Sequence, residues 1–147
     1  MHKIFGVKCE DAYVDRKGAY IIPFHNGKLG VVQTSKGFFF LGGGIDENET
    51  DDECIQRECL EEVACTAVVK EFICSAEAYI EHSVIGHFHP IQNYYAGEIT
   101  QKDREPMESD HKLVWLSYEE LKGNMFLEMQ NWALEQYHNR NKGGLTK

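Results

Sequence analysis

The sequence predicts an α/β (α+β) sandwich, with strands, a helix, more strands and a closing helix forming one domain over residues 1–147. Three observations carry that prediction. Asn26-Gly27 divides two β-prone runs, an acidic segment opens with a capping box at Thr50, and a second capping box at Ser117 follows a last short strand. A helix in the middle of a strand-rich chain has to pack on a sheet, because neither element buries its apolar face alone.

Gly18 to Phe24 and Lys28 to Thr34 are the β-prone runs. Asn-Gly between them suits a hairpin, since both residues accept the positive φ of a type I′ turn. After a turn at Ser35-Lys36-Gly37, the apolar run Phe38-Phe39-Phe40-Leu41 reads as a buried strand, and Gly42-Gly43-Gly44 follows. Thr50 and Glu53 make a T-x-x-E capping box, so a helix is expected from near Asp51 to Val63 or Ala64. Asp51, Asp52 and Glu53 in its first turn suit the positive end of the helix dipole. Thr66 to Ile99 reads as two long antiparallel strands broken near His82 to Gly86, and Gln101 to Asp110 as a loop. Lys112 to Leu116 is a short strand, Ser117-x-x-Glu120 opens a short helix, and Met125 to His138 forms a C-terminal helix with Trp132 and Tyr137 as packing anchors.

With 147 residues, 42% of them hydrophobic, and three prolines, the composition is that of an ordinary soluble domain. No apolar run approaches the roughly 18–20 residues that cross a membrane, and the first residues lack the apolar core of a signal peptide. A cytoplasmic location and no membrane partner are expected. Five cysteines (Cys9, Cys54, Cys59, Cys65, Cys74) include no C-x-x-C pair, so buried reduced thiols are expected rather than disulfides or zinc. A net charge of −9 disfavours a nucleic-acid polymer as partner. A small anionic substrate remains compatible with that charge if cations stand between.

The chemistry concentrates between Asp46 and Glu62, where nine carboxylates accompany one cation, Arg57. Like charges at helical spacing repel, and the plain alternative is a solvated acidic face. Spacing argues otherwise. Glu58, Glu61 and Glu62 stand at i, i+3 and i+4, within an arc of roughly 100° on one helix face. Three such carboxylates are what hard cations such as Mg2+ or Mn2+ need. Ile55, Cys59 and Val63 form an adjacent apolar stripe, which sets the carboxylates at the rim of the core. Counting excludes a calcium loop starting at Asp46, because its glycine position holds Asp51 and its bidentate glutamate position holds Arg57.

Gly43, five residues, Glu49, seven residues, then Arg57-Glu58-Cys59-Leu60-Glu61-Glu62-Val63-Ala64-Cys65 resembles the Nudix box of MutT-like hydrolases, G-x5-E-x7-R-E-U-x-E-E-x-G-U with U aliphatic. Every charged position is filled. Ala64 replaces the second glycine and Cys59 and Cys65 the aliphatic positions. Alanine is tolerable there provided the loop needs no positive φ, and cysteine is a small apolar substitute.

The resemblance implies a Nudix-type α/β/α sandwich, with a mixed sheet between the catalytic helix and the C-terminal helix. It implies hydrolysis of a pyrophosphate linkage in a nucleoside diphosphate joined to another moiety. Glu58, Glu61 and Glu62 would hold Mg2+ or Mn2+, which neutralise the pyrophosphate and lower the pKa of a water. Gly43 would offer its carbonyl to a metal, while Glu49 and Arg57 pair with each other or with a ligand carboxylate. Similar proteins draw a further carboxylate from a late loop. Glu105, Glu108 and Asp110 are available, and Glu108 is assigned by its distance from the following strand. Arg16 is expected against substrate phosphates, and His87 and His89, on one side of a strand, in the substrate pocket. Tyr79, Tyr94 and Tyr95 read as core or sheet aromatics. Subgroups specific for ADP-ribose or dinucleoside polyphosphates carry a proline or tyrosine some 15–18 residues after the box. Here those positions are Ile80, Glu81, His82 and Ser83, matching neither. The alternative to an enzyme is a catalytically silent nucleotide-binding sensor, and a homodimer is common among similar proteins.

Overall fold

The computed structural model describes residues 1–101 and 110–145. It opens with a strand that composition did not signal, β1 (His2–Phe5). Asn26 and Gly27 then take φ of 51° and 78°, the turn geometry expected of that pair. They fold β2 (Val14–His25) back on β3 (Lys28–Thr34). The Phe38–Leu41 run, expected as one strand, is divided between β4 (Gly37–Phe39), which pairs with β3, and β5 (Leu41–Gly44), which pairs with β2. Between them, Phe40 donates its N–H to the Gln130 side chain at 3.0 Å, so the chain changes partner there.

Helix α1 (Asp51–Val63) starts where the capping box placed it. Thr50 Oγ1 accepts from the Glu53 N–H at 3.1 Å, and Glu53 Oε1 accepts from the Thr50 N–H at 2.9 Å. Its C-cap corrects the sequence reading: Ala64 has φ 55° and ψ 44°, the left-handed conformation. The positive φ is required after all, at a strain of roughly 1–2 kcal/mol for an L-residue, which explains why the motif carries glycine there.

The chain continues through β6 (Cys65–Ala78), β7 (Ile80–His82), β8 (Gly86–Gln101) and β9 (Lys112–Leu116) to α2 (Tyr118–Leu121) and α3 (Glu128–Leu145). The last helix starts later than Met125 for a definite reason. The Phe126 N–H is donated to the Phe38 carbonyl (2.9 Å) and the Met125 N–H to Asn131 Oδ1 (2.8 Å), so this backbone is committed to the sheet edge.

Among the described residues nine strands make one mixed sheet, ordered β1-β6-β8-β2-β3-β4, with β5 on β2, β7 on β8 and β9 on β3. The β1–β6 and β2–β8 pairs are parallel. Alternation along the strands divides the core between two faces. Ala19 and Ile21 pack against Ile55, Cys59 and Val63 of α1. Ile22 and Tyr94 pack on the other side with Met129, Ala133 and Leu134 of α3. The predicted sandwich is therefore the observed one. Polar ties fix α1 in place: Asp51 accepts from Tyr95 Oη and Asn93 Nδ2 of β8, and Gln56 bonds both backbone groups of Ala67. Cys54, Cys59, Cys65 and Cys74 are buried and free, and Cys9 is exposed. Burial pushes the Cys54 thiol up to about 11 and the Cys74 thiol to about 12. Among the described residues no helix is long and apolar enough to cross a membrane.

Candidate active site

Three glycines without side chains make the β5 edge thin, and both faces of the sheet use that thinness. Gly43 faces α1, where an added Cβ would collide with the Glu58 carboxylate. Gly44 faces the opposite side, where a Cβ would strike the Arg16 guanidinium, and a Cβ on Gly42 would meet Tyr20. Glu62, largely buried, accepts from the Gly42 N–H at 3.1 Å. Carboxylates from the helix and a cation from the strand thus approach one stretch of backbone from its two sides.

Arg57 organises the carboxylates. It donates two bonds to Glu49 (Nε 2.8 Å, Nη2 3.0 Å), one to the Gly44 carbonyl (2.9 Å) and one to Glu58 (2.7 Å), and stands 3.4 Å from Glu61. Its hydrogen bonds, aided by the Asp46 N–H, draw the Glu49 carboxyl down to about 2. Glu58 moves the other way, because burial outweighs the attraction of Arg57. The half-buried Tyr20 phenol is raised by desolvation and by the nearby Glu62 and Glu58, so it stays a neutral hydroxyl.

The donor set suits a hard divalent cation: oxygen ligands only, on one helix turn, with a glycine that keeps the approach to Glu58 open. Among the described residues, however, no three His, Cys, Asp or Glu side chains stand as a ready ligand cluster. Glu58 and Glu61 point at Arg57, and the Gly43 carbonyl accepts from the Cys54 thiol at 3.3 Å.

Two cavities adjoin this edge. One of about 340 Å³ is lined by Glu62, Gly42, Asp110 and His111. A larger one of about 670 Å³ is lined by Arg16, Gly44, Phe88 and Gln92 among others. Tyr20, Lys36 and Phe39 line both, so the two adjoin at these side chains and together make a recess along the edge.

The NUDIX domain family model matches residues 15–139. The chain belongs to the Nudix family. Its likeness to solved structures agrees: a Nudix hydrolase from Nitrosomonas europaea superposes with a TM-score of 0.72 at 12% identity, covering 86% of this chain and 90% of that one. The MutT protein from Methanosarcina mazei gives 0.71 at 17% identity over 90% and 99% of the two chains. The E. coli ORF135 protein gives 0.67 at 21% identity over 86% and 91%. Such identities speak for the fold. No curated protein matches the sequence.

Within this Nudix domain, the structure brings Gly43, Glu49, Arg57, Glu58, Glu61 and Glu62 together and sets Arg16 beside them across the glycine edge. It does not bring His87 and His89 to the recess, which corrects the expectation for both. Their shared side of β8 faces the α1 layer, while the recess opens on the face of Phe88, Pro90 and Gln92. His89 is instead held between Asp15 and Glu77, at 2.8 Å each, and stacked on Tyr79, while His87 pairs with Glu81. Glu105 and Glu108 lie outside the described residues. Asp110 lines the smaller cavity and accepts from Ser35 Oγ. Sequence reasoning missed His111, whose Nδ1 lies 3.4 Å from Glu62 Oε2, and also Lys36, Tyr20 and Gln92. His111 was within reach, since it adjoins the loop acids that were considered. The four positions Ile80 to Ser83, which stand where subgroup markers would be and match neither subgroup, line the larger cavity.

Proposed function

We propose that this protein is a divalent-metal-dependent hydrolase that cleaves a pyrophosphate linkage in a nucleoside-diphosphate-type substrate. One observation carries this reading: Glu58 and Glu62, from one turn of α1, reach the glycine edge that also borders the recess, and Glu61 shares Arg57 with Glu58. Bound by these glutamates, Mg2+ or Mn2+ would neutralise the pyrophosphate and polarise its phosphorus.

The remaining roles belong to the chain's own side chains. Glu49 keeps Arg57 charged and fixed through its paired bonds, so Glu58 and Glu61 can turn to a cation while the guanidinium stays where it is. Arg16 and Lys36 supply positive charge along the recess for the phosphates. His111, beside Glu62, is placed to hold a proton at Nδ1. Hydrolysis adds water across the P–O–P bridge: one phosphorus gains the hydroxyl, the bridging oxygen leaves with the other, and two phosphate-bearing products result.

The test is a panel of nucleotide sugars, dinucleotides and nucleoside triphosphates assayed with Mg2+ or Mn2+. Turnover of at least one, abolished by EDTA and restored by added metal, is expected. Measurable nucleotide binding with no turnover of any member would overturn the enzyme in favour of a sensor.

A further inference from the structure

The floor of the larger cavity holds a side-chain amide whose orientation is dictated from the backbone. The Phe40 N–H can only donate, so the Gln130 atom that it meets at 3.0 Å is the oxygen. Gln130 therefore presents Nε2 as donor to Gln92, whose Oε1 receives it at 3.1 Å and also accepts from Tyr94 Oη at 2.6 Å. Gln92, 5% exposed, is left with Nε2 turned away from the core. Among the described residues this nitrogen has one acceptor, the Tyr20 oxygen at 3.4 Å. Two hydrogens, the second of the amide and that of the Tyr20 hydroxyl, are available at the cavity floor.

Three further side chains of the cavity share this bias. Arg16 and Lys36 donate only. His82 Nδ1 accepts from the Val84 and Ile85 N–H groups, so its Nε2 carries the proton. The carboxylate at the rim, Glu81, sets its Oε1 against His87 Nδ1. Phe39, Phe88 and Phe126 supply flat apolar walls, and about 670 Å³ accommodates a nucleoside.

We propose that Gln92 and Tyr20 read the nucleobase, favouring one that presents a keto oxygen over one that presents an amino group at the same position. An amino group would face the Gln92 donor, which nothing in the floor can reverse, because a flip would set the Gln92 nitrogen against the Gln130 Nε2 donor. The inference rests on the nucleotide reading above and goes beyond it by naming the base class.

Calorimetric titration with nucleoside monophosphates in Mg2+ tests it, comparing inosine with adenosine and uridine with cytidine. Each pair exchanges a keto oxygen for an amino group at one ring carbon, and with it a protonated for an unprotonated neighbouring ring nitrogen. The keto member is expected to bind roughly tenfold more tightly or better in both pairs. Gln92→Glu keeps an oxygen for Tyr94 and Gln130 while replacing the donor with an acceptor, and should abolish or reverse the preference. Tyr20→Phe, which keeps the ring, should lower it and serves if the first variant does not fold. Equal binding within twofold by the wild type, or an unmoved ratio in a folded variant, would overturn the proposal. Turnover of nucleotides without keto preference defeats this inference alone, whereas absence of any nucleotide binding defeats it together with the nucleotide reading.

Discussion

The two faces of the sheet are built to different ends. The α3 face is packed with large residues, among them Phe40, Tyr94, Met129 and Leu134, and its buried polar groups, Gln92 and Gln130, bond to each other. The α1 face is made of smaller ones, Ala19 and three cysteines among them, under a helix crowded with like charge. A helix chosen for stability alone would not gather nine carboxylates around one arginine, nor end on an alanine in the left-handed region. The contrast teaches that one face carries cohesion and the other tolerates strain for the sake of its carboxylates.

The largest effect should separate the two. Glu62→Gln keeps an acceptor for the Gly42 N–H and removes one like charge, so kinetics should show a loss of about a thousandfold or more with the melting temperature held or raised. A loss below tenfold would place the chemistry elsewhere. On the other face, Leu134→Ala should cost about 2–5 kcal/mol in urea unfolding and leave kcat of the folded protein unchanged. A large fall in kcat at saturating substrate would mean that the faces are not separable.

Titration sharpens the comparison. Glu49 falls from 4.5 to about 2 on folding, so its contribution is fully present above about 4.5 and lost as the pH drops towards 2. His89 behaves oppositely. Burial pulls its pKa down, but Asp15 and Glu77 outweigh that and raise it above 6.5. Its contribution is complete below 6.5 and lost as the pH rises through the folded value. Urea midpoints followed against pH should lose their acid fall in part with Glu49→Gln and their alkaline fall with His89→Gln. Unchanged profiles would remove both pairs from the account of stability.

Local chemistry was legible in the sequence, and long-range geometry was not. Both capping boxes and the Asn26-Gly27 turn involve groups at most three residues apart, so the chain declares them. The box glutamates were legible because helix periodicity alone puts them on one face. Strand β1 escaped because it is four mostly exposed residues whose register, His2 with Ser75, depends on a distant partner. His87 and His89 were correctly put on one side of their strand, but nothing local says which side faces the recess. Gln92 escaped for a similar reason, since its meaning comes from Phe40 and Gln130. Residue 64 was read conditionally, and the structure supplied the condition.

Ala64 gives the smallest expected effect. Ala64→Gly relieves the left-handed strain but gives up a buried methyl worth about 0.8 kcal/mol. A net gain between zero and about 1 kcal/mol is expected from urea unfolding. A loss above 1 kcal/mol would show that the strain is already relieved.

The most direct measurement is Mn2+ binding followed by electron paramagnetic resonance. The wild type is compared with a variant carrying Gln at 58, 61 and 62 and checked to be folded. Wild-type protein should take Mn2+ out of the free pool and the variant should leave it there. Equal binding by the two folded proteins would contradict the assignment of these glutamates to the metal.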